Sequence, residues 1–223
     1  MPGEIPRDLN ALKNQQFRWA KGSLQSAGLL LGQVVRAPLP VLVRLQSVVH
    51  LLAYLVHPLL LGLLVATAML ISDFPMLLVV FGVTAVVGLS PPFVVALGQW
   101  SLHRDWLRRI VLIPFLVALG MGVAVVSSRA AVEAFLGVDS GFVRTPKEGS
   151  GRRLADYRAL VGVAPLFEVV ALVTAVWTLN AAAAAGRCTA IPFLVLYVAA
   201  LCYVALASVA IALRSALGAT STE

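Results

Sequence analysis

The feature that most constrains this chain is a series of long apolar stretches with almost no charge. A helix needs about 20 apolar residues to cross about 30 Å of hydrocarbon. Inside hydrocarbon the backbone must form its hydrogen bonds within its own segment, so such stretches are predicted to be helices and not strands. Five stretches reach or approach the required length: Val48–Ile71, Met76–Gly98, Ile110–Ser128, Ala159–Ala181 and Cys188–Leu213. Among the residues of these stretches, Glu168 is the one Asp, Glu, Lys or Arg.

The composition agrees with a membrane protein and excludes several other classes. The chain is 60% hydrophobic and 12% charged, whereas soluble domains are about 45–50% apolar and about 25% charged. Its two cysteines, Cys188 and Cys202, match no disulfide or metal-ligand spacing, so no metal site is predicted. The net charge of +7 comes from basic residues that flank the apolar stretches. The expected partner of this charge is therefore the lipid bilayer and not a nucleic acid.

The distribution of Lys and Arg predicts the topology. If Ile110–Ser128 dips back or lies in the interface, every Lys and Arg except Arg187 falls on the cytoplasmic side, as the positive-inside rule favours. We therefore expect an all-α protein of the inner membrane with its N-terminus in the cytoplasm, four spanning helices and one re-entrant or interfacial segment. The expected regions are a cytoplasmic interface-helix region (1–47), two membrane helices with the re-entrant segment (48–128), a cytoplasmic loop (129–158), and two further membrane helices with the tail (159–223).

The polar segment before the first apolar stretch carries the main candidate site. Asp8 to Leu31 lacks proline and is predicted to form an amphipathic interface helix, with Asp8 as its N-cap. Gln15, Arg18 and Trp19, here called the N-terminal strip, then share one face. An indole can stack on a sugar ring while an amide and a guanidinium bond its hydroxyls. The same pattern is also typical of an ordinary interfacial helix, with Trp at the headgroup level and Arg at lipid phosphate.

Two motifs resemble a known family. The run from Gln15 to Gly22, preceded by Glu4-Ile5-Pro6, resembles the Gln-x-x-Arg-Trp region of processive family 2 glycosyltransferases, which include cellulose, hyaluronan and mannan synthases. Phe142-Val143-Arg144-Thr145-Pro146-Lys147 resembles the gating loop of the same family, and it follows the third apolar stretch in the matching order. The resemblance covers nearly the whole chain.

The resemblance implies roles for particular residues. Gln15, Arg18 and Trp19 would bind the acceptor glycan, and the gating loop would close over the nucleotide-sugar donor through Phe142, Arg144, Thr145 and Lys147. The implied product is a β-linked polysaccharide that is mannan-, glucomannan- or cellulose-like. From the residues themselves, Glu168 is a candidate channel residue, because an acid inside a membrane helix is costly. It could bond glycan hydroxyls or pair with a neighbouring helix.

The family's catalytic elements are absent from this sequence. Family members carry an upstream domain with an Asp-x-Asp pair for a divalent metal, Mg or Mn, and a Thr-Glu-Asp triplet with the general base, and neither occurs here. We therefore assign no catalytic residue or cofactor to this chain and expect a glycosyltransferase catalytic domain or subunit, a donor and a nascent polysaccharide as partners. A truncated product, a mis-called start and a split subunit all remain open. The alternative is a small multi-pass transporter or scaffold with no glycan role.

Overall fold

The computed structural model describes residues 9–70, 90–139 and 164–219, and these residues form helices and short turns. The predicted all-α architecture is therefore confirmed, and so is a helix across the N-terminal strip. A 3-10 turn at Ala53–Leu55 joins the second and third helices. The helices are α1 (Leu9–Arg36), α2 (Val41–Leu51), α3 (Val56–Leu70), α4 (Ser90–Leu102), α5 (Trp106–Ile110), α6 (Ile113–Gly122), α7 (Ala124–Phe135), α8 (Ala164–Ala184) and α9 (Ile191–Ala219).

Two helices are long and apolar enough to cross a membrane, namely Pro165–Ala184 in α8 and Ile191–Leu213 in α9. They coincide with the last two predicted spans. Two further pairs of helices qualify only if each pair counts as one bent span: Val41–Leu51 with Ala53–Met69, and Trp106–Gly122 with Ala124–Phe135. Within the described ranges, length and composition thus support two to four candidate spans.

The first apolar stretch, Val48–Ile71, which is predicted to span the membrane, falls on a bent pair of helices that counts as one candidate span. The chain bends by 51° between α2 and the helix that follows. Pro58 supplies the reason, because it has no N–H to donate to the carbonyl of Tyr54 and its ring crowds that carbonyl. The 3-10 turn accommodates the missing bond. His50 and His57, whose spacing would place them on one face of a continuous helix, therefore lie on two different helices.

Much of the second stretch, Met76–Gly98, falls on residues 71–89, outside the described part. The described part begins at Ser90, and Pro91 and Pro92 are the next two residues of α4 as described. Within the described residues, Pro92–Leu102 is an apolar helix below the length of a spanning helix. A kink within this stretch, which the Pro-Pro pair predicts, is not tested.

The third stretch, Ile110–Ser128, is divided over three helices. Pro114 cannot donate a hydrogen bond to the carbonyl of Ile110, which is where α5 ends. A second break at Val123 separates α6 from α7, with a bend of 41°. This geometry fits either a broken span or a re-entrant loop, so the predicted choice between them stays a prediction.

Glycine caps end two of the helices. Gly186 has a φ of +66°, and the N–H of Arg187 donates to the carbonyl of Ala182 at 2.9 Å. This is a Schellman motif, which ends the helix after the Ala181–Ala185 run at Gly186. Gly137 ends α7 in the same way, with a φ of +65°. The predicted N-cap, Asp8, lies outside the described residues.

The chain divides into two compact units, formed by residues 1–60, 123–167 and 206–223 and by residues 61–122 and 168–205. In the first unit α1 packs along α7, with Phe17 and Ala20 against three residues of the turn and α7, namely Val123, Val126 and Ala130. In the second unit α6 approaches the first part of α9, where the rings of Phe115 and Tyr203 lie edge to face with centroids 6.5 Å apart.

Candidate functional site

The N-terminal strip lies in the first half of α1. The Trp19 side chain is 52% exposed, while Gln15 and Arg18 are half-buried. Their spacing of three and four residues on a continuous helix gives them a common side of α1. An indole that is open to its surroundings, beside an amide and a guanidinium, can present a flat apolar face together with hydrogen-bond donors and acceptors.

The side of α1 opposite Trp19 is buried between Ala11 and Ala27. Phe17 is 5% exposed and Ala20 is fully buried, and both pack against the turn and helix at Val123–Ala130. Leu12 and Tyr54 cover the edge of this cluster. The N-terminal strip therefore lies on a helix whose other side packs against α7. The complete set of buried residues on α1 is Ala11, Lys13, Asn14, Phe17, Ala20, Lys21, Leu24 and Ala27.

Three charged residues, here called the Glu133 cluster, join α1 to α7. Lys21 Nζ donates to Glu133 Oε2 at 3.0 Å, and Arg129 Nε donates to Glu133 Oε1 at 2.8 Å. Both cations also lie 5.7 Å from the ring centroid of Phe17. The two hydrogen bonds use both carboxylate oxygens, and the ring faces add a cation–π attraction. The cluster thus fixes the relative position of the two helices.

A second polar link joins α1 to the final part of α9. Lys13 is 2% exposed and Ser208 is fully buried, and the Lys13 ammonium donates a hydrogen bond to the Ser208 hydroxyl. A lysine is almost never buried without such a partner. Sequence reasoning missed both links. Lys13, Phe17 and Lys21 are spaced four residues apart, and this spacing was the signal that the two lysines share the packed face of Phe17.

The predicted donor-gating residues Phe142, Arg144, Thr145 and Lys147 lie outside the described residues. Their predicted role therefore stays a prediction. The described chain before them ends at Asp139, after the glycine cap of α7 at Gly137.

Glu168 is fully buried in α8, so its carboxyl group does not face the surroundings of the protein. Tyr197 of α9 is also fully buried, and its hydroxyl has no hydrogen-bond partner among the residues that the structure describes. The sequence analysis did not single out Tyr197. A buried hydroxyl without a partner is uncommon and marks a polar position inside an apolar helix. The predicted channel role of Glu168 is not tested by its burial alone.

The segment between α4 and α5 forms an open cleft, lined by Trp100, His103, Arg104 and Trp106 among others. The Asp105 carboxylate accepts a hydrogen bond from Arg109 Nε at 3.0 Å, and this bond holds the pKa of Asp105 below its usual value. Indole and guanidinium groups of this kind are typical of a membrane interface.

The described residues offer no candidate metal centre, since no three His, Cys, Asp or Glu side chains come together in residues 9–70, 90–139 and 164–219. A divalent cation of the size of Mg needs carboxylate or other oxygen ligands in such a group. We therefore derive no metal-dependent step from this chain.

Comparisons of the chain with models of known protein families, with curated proteins and with solved structures found no match.

Proposed function

We propose that this chain is the membrane portion of a family 2 glycosyltransferase that polymerises a nucleotide sugar into a β-linked polysaccharide. In this proposal the N-terminal strip binds the end of the growing glycan, with Trp19 stacked on a sugar ring and Gln15 and Arg18 bonded to hydroxyls. The observation that carries the proposal is the half-exposed indole of Trp19 on a helix whose opposite face is buried.

The fixed position of α1 is what such a site requires. The end of the glycan must be held close to its reactive position, because a small displacement of the reacting hydroxyl strongly lowers the rate of a transfer reaction. The Glu133 cluster and the Phe17 packing hold α1 against α7 on the side away from Trp19. The indole is therefore available to a ligand while its helix does not depend on that ligand for its position.

The proposal assigns the remaining roles to partners and to undescribed residues. A glycosyltransferase catalytic domain or subunit supplies the divalent metal and the general base, and the chain lies in the inner membrane with its N-terminus in the cytoplasm. Phe142, Arg144, Thr145 and Lys147 gate the donor, since cationic groups match a diphosphate in charge.

Oligosaccharide binding tests the strip directly. The full chain is placed in lipid nanodiscs and titrated with β-linked mannohexaose and cellohexaose. We expect Trp19→Ala to weaken binding at least about tenfold, which corresponds to ~1.4 kcal/mol. Trp177→Ala is the matched control, because Trp177 is 57% exposed, close to the 52% of Trp19, but lies on α8.

The two tryptophan variants separate the proposal from the alternative. A small transporter or scaffold with no glycan role predicts that neither oligosaccharide binds, or that both variants bind as the parent does. Either outcome would remove the acceptor role from the strip.

Co-expression tests the complete activity. Together with a family 2 catalytic domain, the parent chain is expected to support polymer synthesis, and Trp19→Ala and Lys147→Ala are expected to abolish it. Trp177→Ala should retain it. Polymer yields that match the parent in both of the first two variants, at equal membrane levels of the protein, would contradict the proposal.

A further inference from the structure

The short helix α2 turns its apolar face away from the protein. Val41, Leu42, Leu45 and Val49 are 69%, 78%, 58% and 60% exposed. Their spacing puts them on one stripe of the helix. None of the eleven residues of α2 is fully buried. A stripe of four large, exposed aliphatic side chains needs an apolar partner.

Two polar side chains of α2, Arg44 and Ser47, are half-buried, whereas Gln46 and His50 are exposed. Arg44 is half-buried, and its guanidinium donates to the carbonyl of Val35, near the end of α1, at 3.2 Å. Ser47 is also half-buried and bonds the carbonyl of Val43 at 2.8 Å. A helix on the surface of a soluble protein buries its apolar face, whereas the apolar stripe of α2 is exposed.

The same surface continues onto the end of α1 and the connecting turn. Beyond Ala27, α1 has no buried residue, and Leu29, Leu30 and Val35 are exposed. Leu39 in the turn is exposed as well. We call Leu29 to Val49 the α1–α2 surface. It is large, apolar and continuous along the chain.

The charge of this region identifies the partner. The sequence holds no Asp or Glu between Asp8 and Asp73, whereas Arg36 and Arg44 lie within the α1–α2 surface. Arg36 is exposed at the last residue of α1. Apolar side chains beside cations, without acids, fit acyl chains beneath anionic phosphate headgroups.

We propose that α2 lies along one leaflet of an anionic bilayer, with its apolar stripe among the acyl chains and Arg36 at the headgroup phosphates. The eleven residues of α2 extend about 16 Å, too short to cross about 30 Å of hydrocarbon. The 51° bend after α2 separates its direction from that of α3. The membrane contact thus extends to α2, past the interface helix that the sequence predicts at Asp8 to Leu31. This proposal does not depend on a glycan role.

Site-directed spin labelling of the full chain in nanodiscs tests the proposal. The background carries Cys188→Ser and Cys202→Ala, which remove the native cysteines. Labels are placed on the stripe with Leu42→Cys and Leu45→Cys and, as a matched control on the same helix, off the stripe with His50→Cys. We expect stripe labels to be mobile and more accessible to oxygen than to a water-soluble nickel complex, with the reverse order at the control.

The other outcomes overturn the proposal in distinguishable ways. Preferential access of the nickel complex to Leu42→Cys would place the stripe in water. An immobile label that neither reagent reaches would show that protein covers the stripe, and spin–spin broadening would then identify a second copy of this chain. A native tryptophan signal identical to the parent's confirms that each labelled protein is folded.

A second experiment tests the contact between Arg36 and the headgroup phosphates. In nanodiscs with anionic phosphatidylglycerol, the Leu42→Cys label should lie deeper than in pure phosphatidylcholine, and Arg36→Gln should remove the difference. The same depth in both lipids would overturn the assignment of Arg36 to anionic headgroups. High salt screens the attraction between Arg36 and the anionic headgroups, so the depth of the label measured at high salt is the reference without this attraction.

Discussion

Lys21 and Glu133 are 112 residues apart in the sequence, and their side chains form a 3.0 Å ion pair that is 7% exposed on the lysine side and 15% on the glutamate side. The pair connects the helix of the N-terminal strip with α7, the last described helix before the predicted gating loop. The carboxylate of Glu133 therefore joins the two helices in addition to the packing around Phe17.

Removal of the ammonium group is predicted to destabilise the protein. Lys21→Met keeps most of the side-chain volume but leaves Glu133 with Arg129 as its one cationic partner in the cluster. We expect a loss of about 2 kcal/mol, because a largely buried carboxylate loses a charged hydrogen bond. Unfolding of the purified protein in detergent micelles, followed by circular dichroism, measures the loss.

An exposed ion pair supplies the control for Lys21→Met. Arg109 and Asp105 are also 3.0 Å apart, but their side chains are 44% and 52% exposed. Arg109→Met should therefore change stability very little, because water and salt screen such a pair. Equal losses for the two variants would show that the burial of Lys21 and Glu133 adds nothing to their interaction.

The packing between α1 and α7 depends on small residues. Ala130 is fully buried against the cluster around Phe17. Ala130→Leu is predicted to cost about 1–3 kcal/mol, because a larger side chain must displace α1 or adopt a strained rotamer. Val132→Leu is the matched control on the same helix, since Val132 is 54% exposed. A tolerated Ala130→Leu would show that α1 can move away from α7 at little cost.

Hydropathy alone was sufficient to predict the helices that are apolar all round. Residues Pro165–Ala184 and Ile191–Leu213 have this composition, and the structure contains both as long helices. The glycine cap at Gly186 was also predictable, because a helix-forming alanine run ends there and glycine accepts a positive φ.

Other features depend on contacts that a single sequence does not contain. Lys21 and Glu133 meet because α1 and α7 pack together, and no local pattern relates residues so far apart. The outward stripe of α2 has the same origin. Its amphipathic pattern is visible in the sequence, but the direction of the apolar face depends on how α2 packs against α1, where Arg44 bonds the carbonyl of Val35. The break before α3 could have been predicted from Pro58.

The cap at Gly186 provides a local test of helix termination. Gly186→Ala forces a side chain into a φ of +66° and should cost about 1–2 kcal/mol. Gly98→Ala is the control, because a Cβ added there meets nothing within 4 Å in the middle of α4. That change should be neutral or stabilising, since alanine favours a helix. Thermal unfolding midpoints compare the two, and equal shifts would argue against the cap.

The approach of α6 to α9 is predicted to require glycine at one position. A Cβ added to Gly122 would overlap Cγ2 of Val204 and lie 3.3 Å from the carbonyl oxygen of Ala200. Gly122→Ala should therefore destabilise the protein by about 1–3 kcal/mol, because the backbone carbonyl cannot move aside as a flexible side chain can. Unfolding in detergent micelles again measures the change.

Two further variants decide whether steric overlap is the cause. Gly120→Ala should be tolerated, since a Cβ there meets nothing within 4 Å on the same helix. The double variant Gly122→Ala with Val204→Ala should recover part of the stability lost by Gly122→Ala, because the smaller residue at 204 frees the space that the new methyl group needs. Strict additivity of the two single losses would contradict a direct contact between these positions, and α6 would then not need glycine for its approach to α9.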